Sequence, residues 1–205
     1  MFGVPLRPGR SKSKGRGLMK TAPNILAPGL LIAMPQLRDD NFQESVILLV
    51  DHSEDGAMGL IVNQQILHPT LLDVAQAQSI RLDPSLTSQA IYQGGPIETG
   101  RGFLLHDNPD LSDSIQLMEG LFLALTADPL KELLEHPGKT RFKFIIGYSG
   151  WAAGQLDEEL SEGLWLPTEC TPDRVLTSGG SDFWENTIRD EGISPELLVV
   201  AGGIN

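Results

Sequence analysis

Ser149 stands in Gly147-Tyr148-Ser149-Gly150-Trp151, directly after the apolar run 141–146. A serine flanked by glycines where a strand turns into a helix is the placement of a hydrolase nucleophile. That chemistry requires a second glycine two residues after the serine, and Trp151 occupies the position. It also requires a histidine later in the chain, whereas His52, His68, His106 and His136 all precede Ser149. An anion site at the following helix start is the next reading, because free N–H groups and the helix dipole attract phosphate or carboxylate. Asp157, Glu158, Glu159 and Glu162 already crowd those turns and would repel a polyanion. The plainer account is architectural: Trp151 anchors packing, while Gly147, Gly150 and Gly154 permit close backbone crossing.

The histidines offer a different chemistry. His52 and His106 each end an apolar run. If they met on one rim they would form an acid–base pair titrating near neutral pH, with Asp51 or Glu98 as carboxylate partner. No two histidines have metal-ligand spacing, and Cys170 is the lone cysteine, so no metal or other cofactor is expected. Asp51, Ser53, Asp55 and Gly56 imitate the start of a calcium loop, yet Val62 stands where the bidentate glutamate belongs. Gln93-Gly94-Gly95-Pro96 could present N–H groups to an anion, or simply turn the chain. Nucleotide-binding glycine motifs are absent.

The elements that must position these residues can be read from periodicity. Runs 29–34, 45–52 and 57–63 are strand-length and rich in Ile, Leu and Val, and Asp55-Gly56 makes 45–63 a β-hairpin. Thr70 with Asp73 three residues on is a capping-box variant that starts a helix. Strands follow around 90–96 and 101–106, and 113–126 reads as one or two more. Asp128 as cap and Pro129 at the first position open a helix that Pro137-Gly138 stop. Segment 140–148 is a strand whose far end is continuously apolar, and 154–162 is a helix. A last helix carries Trp184 and Ile188 behind Asp182 and Glu185, with Gly192 at its C′ position. Strand runs with irregularly interspersed helices indicate an α+β fold.

Charge is unevenly placed. Six of the fifteen basic residues lie in positions 1–20, which hold no acid, leaving nine against 27 acids in residues 21–205, a charge of −18. Positions 1–20 read as a disordered basic tail, either an arm for nucleic acid or an acidic partner, or an inert extension ahead of Met19-Lys20. Residues 21–205 read as one domain. Its acidity opposes contact with a phosphate backbone, and direct DNA binding is not expected of it. No secretory signal or membrane-length apolar run is present, and a single cysteine suits a reducing compartment, so the cytoplasm is the expected location.

Taken together, 30–63, Gly94-Gly95-Pro96, 101–106, 147–160 and Trp165-Leu166 resemble, in order, the motifs of the YqgE/AlgH family of bacterial proteins (DUF179, UPF0301). The resemblance covers about residues 26–200. It implies a single α+β domain with a mixed, strongly bent sheet forming a barrel-like core and helices packed outside. It brings no activity or cofactor, and some members carry a transcriptional-regulator label. Without a basic recognition helix, such an effect is expected to run through a protein or small-molecule partner. The expected binding surface is a cleft rimmed by Asn63, Gly94, Gly95, His106, Trp151 and Gln155, which carry unusual glycine, aromatic and amide density at strand ends. Its rival is an enzyme using His106 or His52 as general base.

Overall fold

In the computed structural model, residues 26–177, 179–180 and 182–194 are described, so the basic tail lies outside them. The first three apolar runs form β1 (Gly29–Ala33), β2 (Val46–Ser53) and β3 (Gly56–Ile61), each antiparallel to the next. Both β1 and β2 are buried on two faces. Leu30, Ile32, Val46 and Leu48 enter one core cluster, and Leu31, Ala33, Ile47 and Leu49 enter another. That is why these runs read as continuously apolar instead of alternating.

A short β4 (Gln65–Ile66) leads into α1 (Leu71–Ala77). Thr70 closes the expected capping box, with its Oγ1 accepting from Asp73 N and Asp73 accepting from Thr70 N. Then come β5 (Ile91–Gln93), β6 (Ile97–His106), β7 (Ser114–Met118) and β8 (Leu121–Ala124). Segment 113–126 is thus two strands, joined through Gly120 at φ 77°. Next is α2 (Ala127–Glu135), whose N-cap is Thr126 and not Asp128. Thr126 holds the extended conformation (φ −110°, ψ 167°), which places Asp128 and Pro129 inside the first turn. Proline is tolerated there because first-turn N–H groups have no intrahelical acceptor.

The chain continues through β9 (Phe142–Ala152), α3 (Gln155–Ser161), β10 (Trp165–Thr168), α4 (Pro172–Thr177) and α5 (Asp182–Asp190). Gly192 follows α5 at φ 77°, its N–H bonded to Arg189 O at 2.9 Å, as its C′ role requires.

The sheet order is β10-β1-β2-β3-β9-β6-β8-β7, with β4 and β5 attached beside β9. Among the described residues all pairings are antiparallel except β5 with β9, which makes the sheet mixed. It curls strongly into a half-barrel. One face packs under α4 and α5 through Val175, Leu176, Phe183, Trp184 and Ile188. The opposite face meets α1 and α2 on the β6–β9 side, and α3 on the β1–β3 side. This is the single α+β domain with a bent, mixed sheet that the motifs imply. Among the described residues no helix is long and apolar enough to cross a membrane.

Candidate functional site

β9 is the axis on which the sequence candidates are arranged. Ser149 lies inside this strand, not at a turn between strand and helix, because β9 runs on to Ala152. Its side chain is fully buried and its Oγ donates to Gly94 O at 3.0 Å. Gly94 also donates its N–H to Ile146 O (2.8 Å) and accepts from Ile61 N (3.0 Å). These glycines mark a close crossing of backbones. A Cβ on Gly94 would stand 2.3 Å from Gly147 O, and one on Gly95 would stand 2.4 Å from the Tyr148 carbonyl. Gly147, at φ 75°, acts as a bulge. Before it Ile145 faces the α5 side, and after it Tyr148 does. The shift carries Trp151 to the opposite face, under α3. Asn63 adjoins this crossing, with Oδ1 accepting from Val46 N (2.8 Å) and Nδ2 donating to Glu44 O (2.8 Å).

Trp151 and Gln155 form a second group. One carboxylate, Glu159, accepts from Trp151 Nε1 (2.9 Å) and Trp165 Nε1 (2.7 Å) through Oε2, and from Gln155 Nε2 (2.8 Å) through Oε1. Gln155 Oε1 in turn accepts from Ala152 N at 3.0 Å. The indoles meet edge to face at 5.8 Å, and Phe42 packs on both. The carboxylates of this segment thus include the acceptor that two buried indole N–H groups need.

His106 is a third, separate place. It is fully buried and stacked on Phe122, with Nε2 at 2.9 Å from Ser114 Oγ. Burial pushes its pKa below the ordinary value, against the opposing pull of the Asn108 backbone and Asp107. His106 is opposite Phe142 and His52 opposite Ala57, which is itself opposite Trp151. Those two ends of β9 are roughly 30 Å apart along the strand, so the histidines do not share a rim. His52 instead sets Nε2 at 3.4 Å from Asp157, and Glu98 pairs with Arg101. Of the six expected cleft residues, the structure brings Asn63, Gly94 and Gly95 together and Trp151 with Gln155. It leaves His106 apart from both groups.

Two features escaped the sequence reading. The first is Lys143, buried on β9 with Nζ donating to Val62 O (2.6 Å) and sitting 4.4 Å from the Tyr92 ring centroid and 5.9 Å from that of Phe183. Burial pushes its pKa down to about 7. The signal was its parity: Lys143 shares a face with Ile145, between phenylalanines that face the other way.

The second is a cavity of about 560 Å³ bounded by α1, the start of α2 and β6. The β6–β9 register jumps between Ile97 and Gly102, opposite Tyr148 and Ile146, so residues 98–101 bow out as one wall. Glu98 holds φ 47° at that departure. Phe144 and Ile146 form the floor, and Pro69, Val74, Leu125 and Leu130 add apolar walls. None of the six expected residues lines it.

The AlgH-like family model (DUF179) matches residues 30–196. The chain belongs to the AlgH-like family. A UPF0301 protein of Myxococcus xanthus is 43% identical over 180 residues, 88% of this chain and 98% of that one. A Vibrio parahaemolyticus UPF0301 protein is 36% identical, covering 84% of this chain and 95% of its own. The solution structure of the AlgH protein from Pseudomonas aeruginosa superposes with a TM-score of 0.70 at 30% identity, over 91% of this chain and 99% of that one. An X-ray structure of a Corynebacterium diphtheriae protein, 24% identical with a TM-score of 0.63 and covering 87% and 92%, shares the fold. The AlgH-like match spans the glycine crossing, the indole clamp and the cavity alike.

Proposed function

We propose that this AlgH-like chain is a cytoplasmic, non-catalytic binding protein of regulatory kind, which acts through a small-molecule or protein partner and not by direct contact with DNA. The observation that supports this reading best is the cavity between α1, α2 and the 98–101 wall. Its volume of about 560 Å³ lies in the range of small-molecule sites, and its surface is mostly apolar. His106, by contrast, has no solvent-facing surface from which to take a substrate proton, and the Ser149 hydroxyl is spent on a backbone carbonyl. The charge of −18 over residues 21–205 opposes a polyanion at long range.

The test pairs two measurements on the full chain. After incubation with a small-molecule extract of bacterial cells, native mass spectrometry is expected to show an added mass. A Gly100→Trp variant, filled at the cavity wall, is expected to lose it. Fluorescence anisotropy with promoter-region and scrambled duplexes at near-physiological salt is expected to show no sequence-dependent binding. Tight, sequence-dependent binding would overturn the reading in favour of a direct DNA reader.

A further inference from the structure

The chemistry of the cavity narrows what it can hold, and this step rests on the small-molecule reading above. Gly102 lies so close to the Phe144 ring that a Cβ there would be 2.5 Å from Cζ, whereas a Cβ on Gly100 would meet nothing within 4 Å. One glycine therefore seats the aromatic floor and the other leaves the wall open. Among the described residues two ionisable side chains belong to the lining, and each already has a partner. Asp73 Oδ2 accepts from Thr70 N (2.8 Å) and Thr70 Oγ1 (2.7 Å), closing the cap of α1. Arg101 donates to Glu98 at 3.0 Å and places its guanidinium 5.2 Å from the centroid of Phe103, whose ring belongs to the opposite face of the sheet.

What remains for a ligand is the apolar floor and three neutral polar side chains, Gln78, Thr99 and Thr126. Thr126 spends no hydrogen bond on capping α2. Hydroxyl and amide groups both donate and accept, so they suit an uncharged polar end. An ionic end would be desolvated against apolar walls and would have to compete with Glu98 for Arg101, or with Thr70 for Asp73, to gain a counter-charge.

We infer that the cavity is a site for an uncharged amphipathic small molecule, with an apolar body over Phe144 and Ile146 and a neutral hydrogen-bonding end such as an amide. Three probes of one chain length test it by isothermal titration with the full-length protein: octanamide, octanoate and octylamine. Octanamide is expected to bind at least about tenfold more tightly than either ion, the scale of one unshared desolvation cost. Gly100→Trp and, independently, Ala77→Trp are expected to abolish that binding while far-UV circular dichroism stays unchanged. Ala77 is exposed and Gly100 faces open space, so neither substitution has to displace the core. If octanoate or octylamine binds as tightly as octanamide, and both variants block it, the site stands but its neutrality is refuted. If no probe binds, or the folded variants bind as the wild type does, the cavity reading itself falls.

Discussion

At the scale of single residues, the glycine and carboxylate positions that look chemically suggestive carry the fold's tightest tolerances. Gly95 holds φ 146° with its α-carbon against the Tyr148 carbonyl, so Gly95→Ala adds both backbone strain and a clash with backbone that cannot swing aside. A loss of about 3 kcal/mol or more is expected in urea denaturation, and a loss under about 0.5 kcal/mol would show that the crossing relaxes freely. Glu159 is the matching case among acids. Glu159→Ala strands two indole N–H groups and the Gln155 amide, and is expected to cost about 2–4 kcal/mol. Glu159→Gln keeps an acceptor oxygen and is expected to recover part of that loss. Tryptophan emission provides the second readout: a red shift in Glu159→Ala and none in Glu159→Gln. Equal stability of wild type and Glu159→Ala would remove the clamp from the list of stabilising features.

At the scale of elements, what was legible in the sequence was whatever local chemistry decides alone. The hairpin of β2 and β3 follows from two apolar runs and a short polar turn, and α1 from Thr70 and Asp73 acting on each other within one turn. Where tertiary partners decide, local reading fell short. The start of α2 shifted to Thr126 because the cap is set by backbone conformation, and Asp128 looks equally capable from sequence. β9 ran past Ser149 because β3 pairs with Gly150 and Trp151, a partner more than ninety positions upstream in the chain. The candidate site suffered most. Its expected members share glycine, aromatic and amide character, yet they answer to different partners, β9 for the glycines, β2 for Asn63, α3 for Trp151 and β7 for His106, so composition could not group them. The cavity arises from a four-residue excursion of β6 facing two separate helices, and no single stretch of sequence contains that relation.

At the scale of the whole molecule, Lys143 ties pH to the closure of the sheet against α5. Its Nζ sits between Val62 O on the strand side and the rings of Tyr92 and Phe183, and Phe183 belongs to the helix that covers this face. Its folded pKa is about 7, while an unfolded lysine titrates near 10.4. Between those values the unfolded chain binds a proton that the folded chain has released, so stability rises with pH in that window. Below pH about 7 both states are protonated, and the cost of burying the charge is present in full. Two other shifted groups bound the range of a clean measurement. His106, pushed down by burial, acts on the acid side. Cys170, pushed up to about 11, lowers stability once an unfolded thiol begins to ionise near 8.5. Between about pH 7 and 8.5 the Lys143 contribution is therefore the cleanest to read, and it amounts to a gain on the order of 1–2 kcal/mol on the linkage slope. Urea midpoints at the two pH values are expected to rise for the wild type and to stay level for Lys143→Met, which removes the titrating amine and keeps its apolar length. An equal rise in both proteins would place the pH dependence elsewhere and leave Lys143 charged through neutrality.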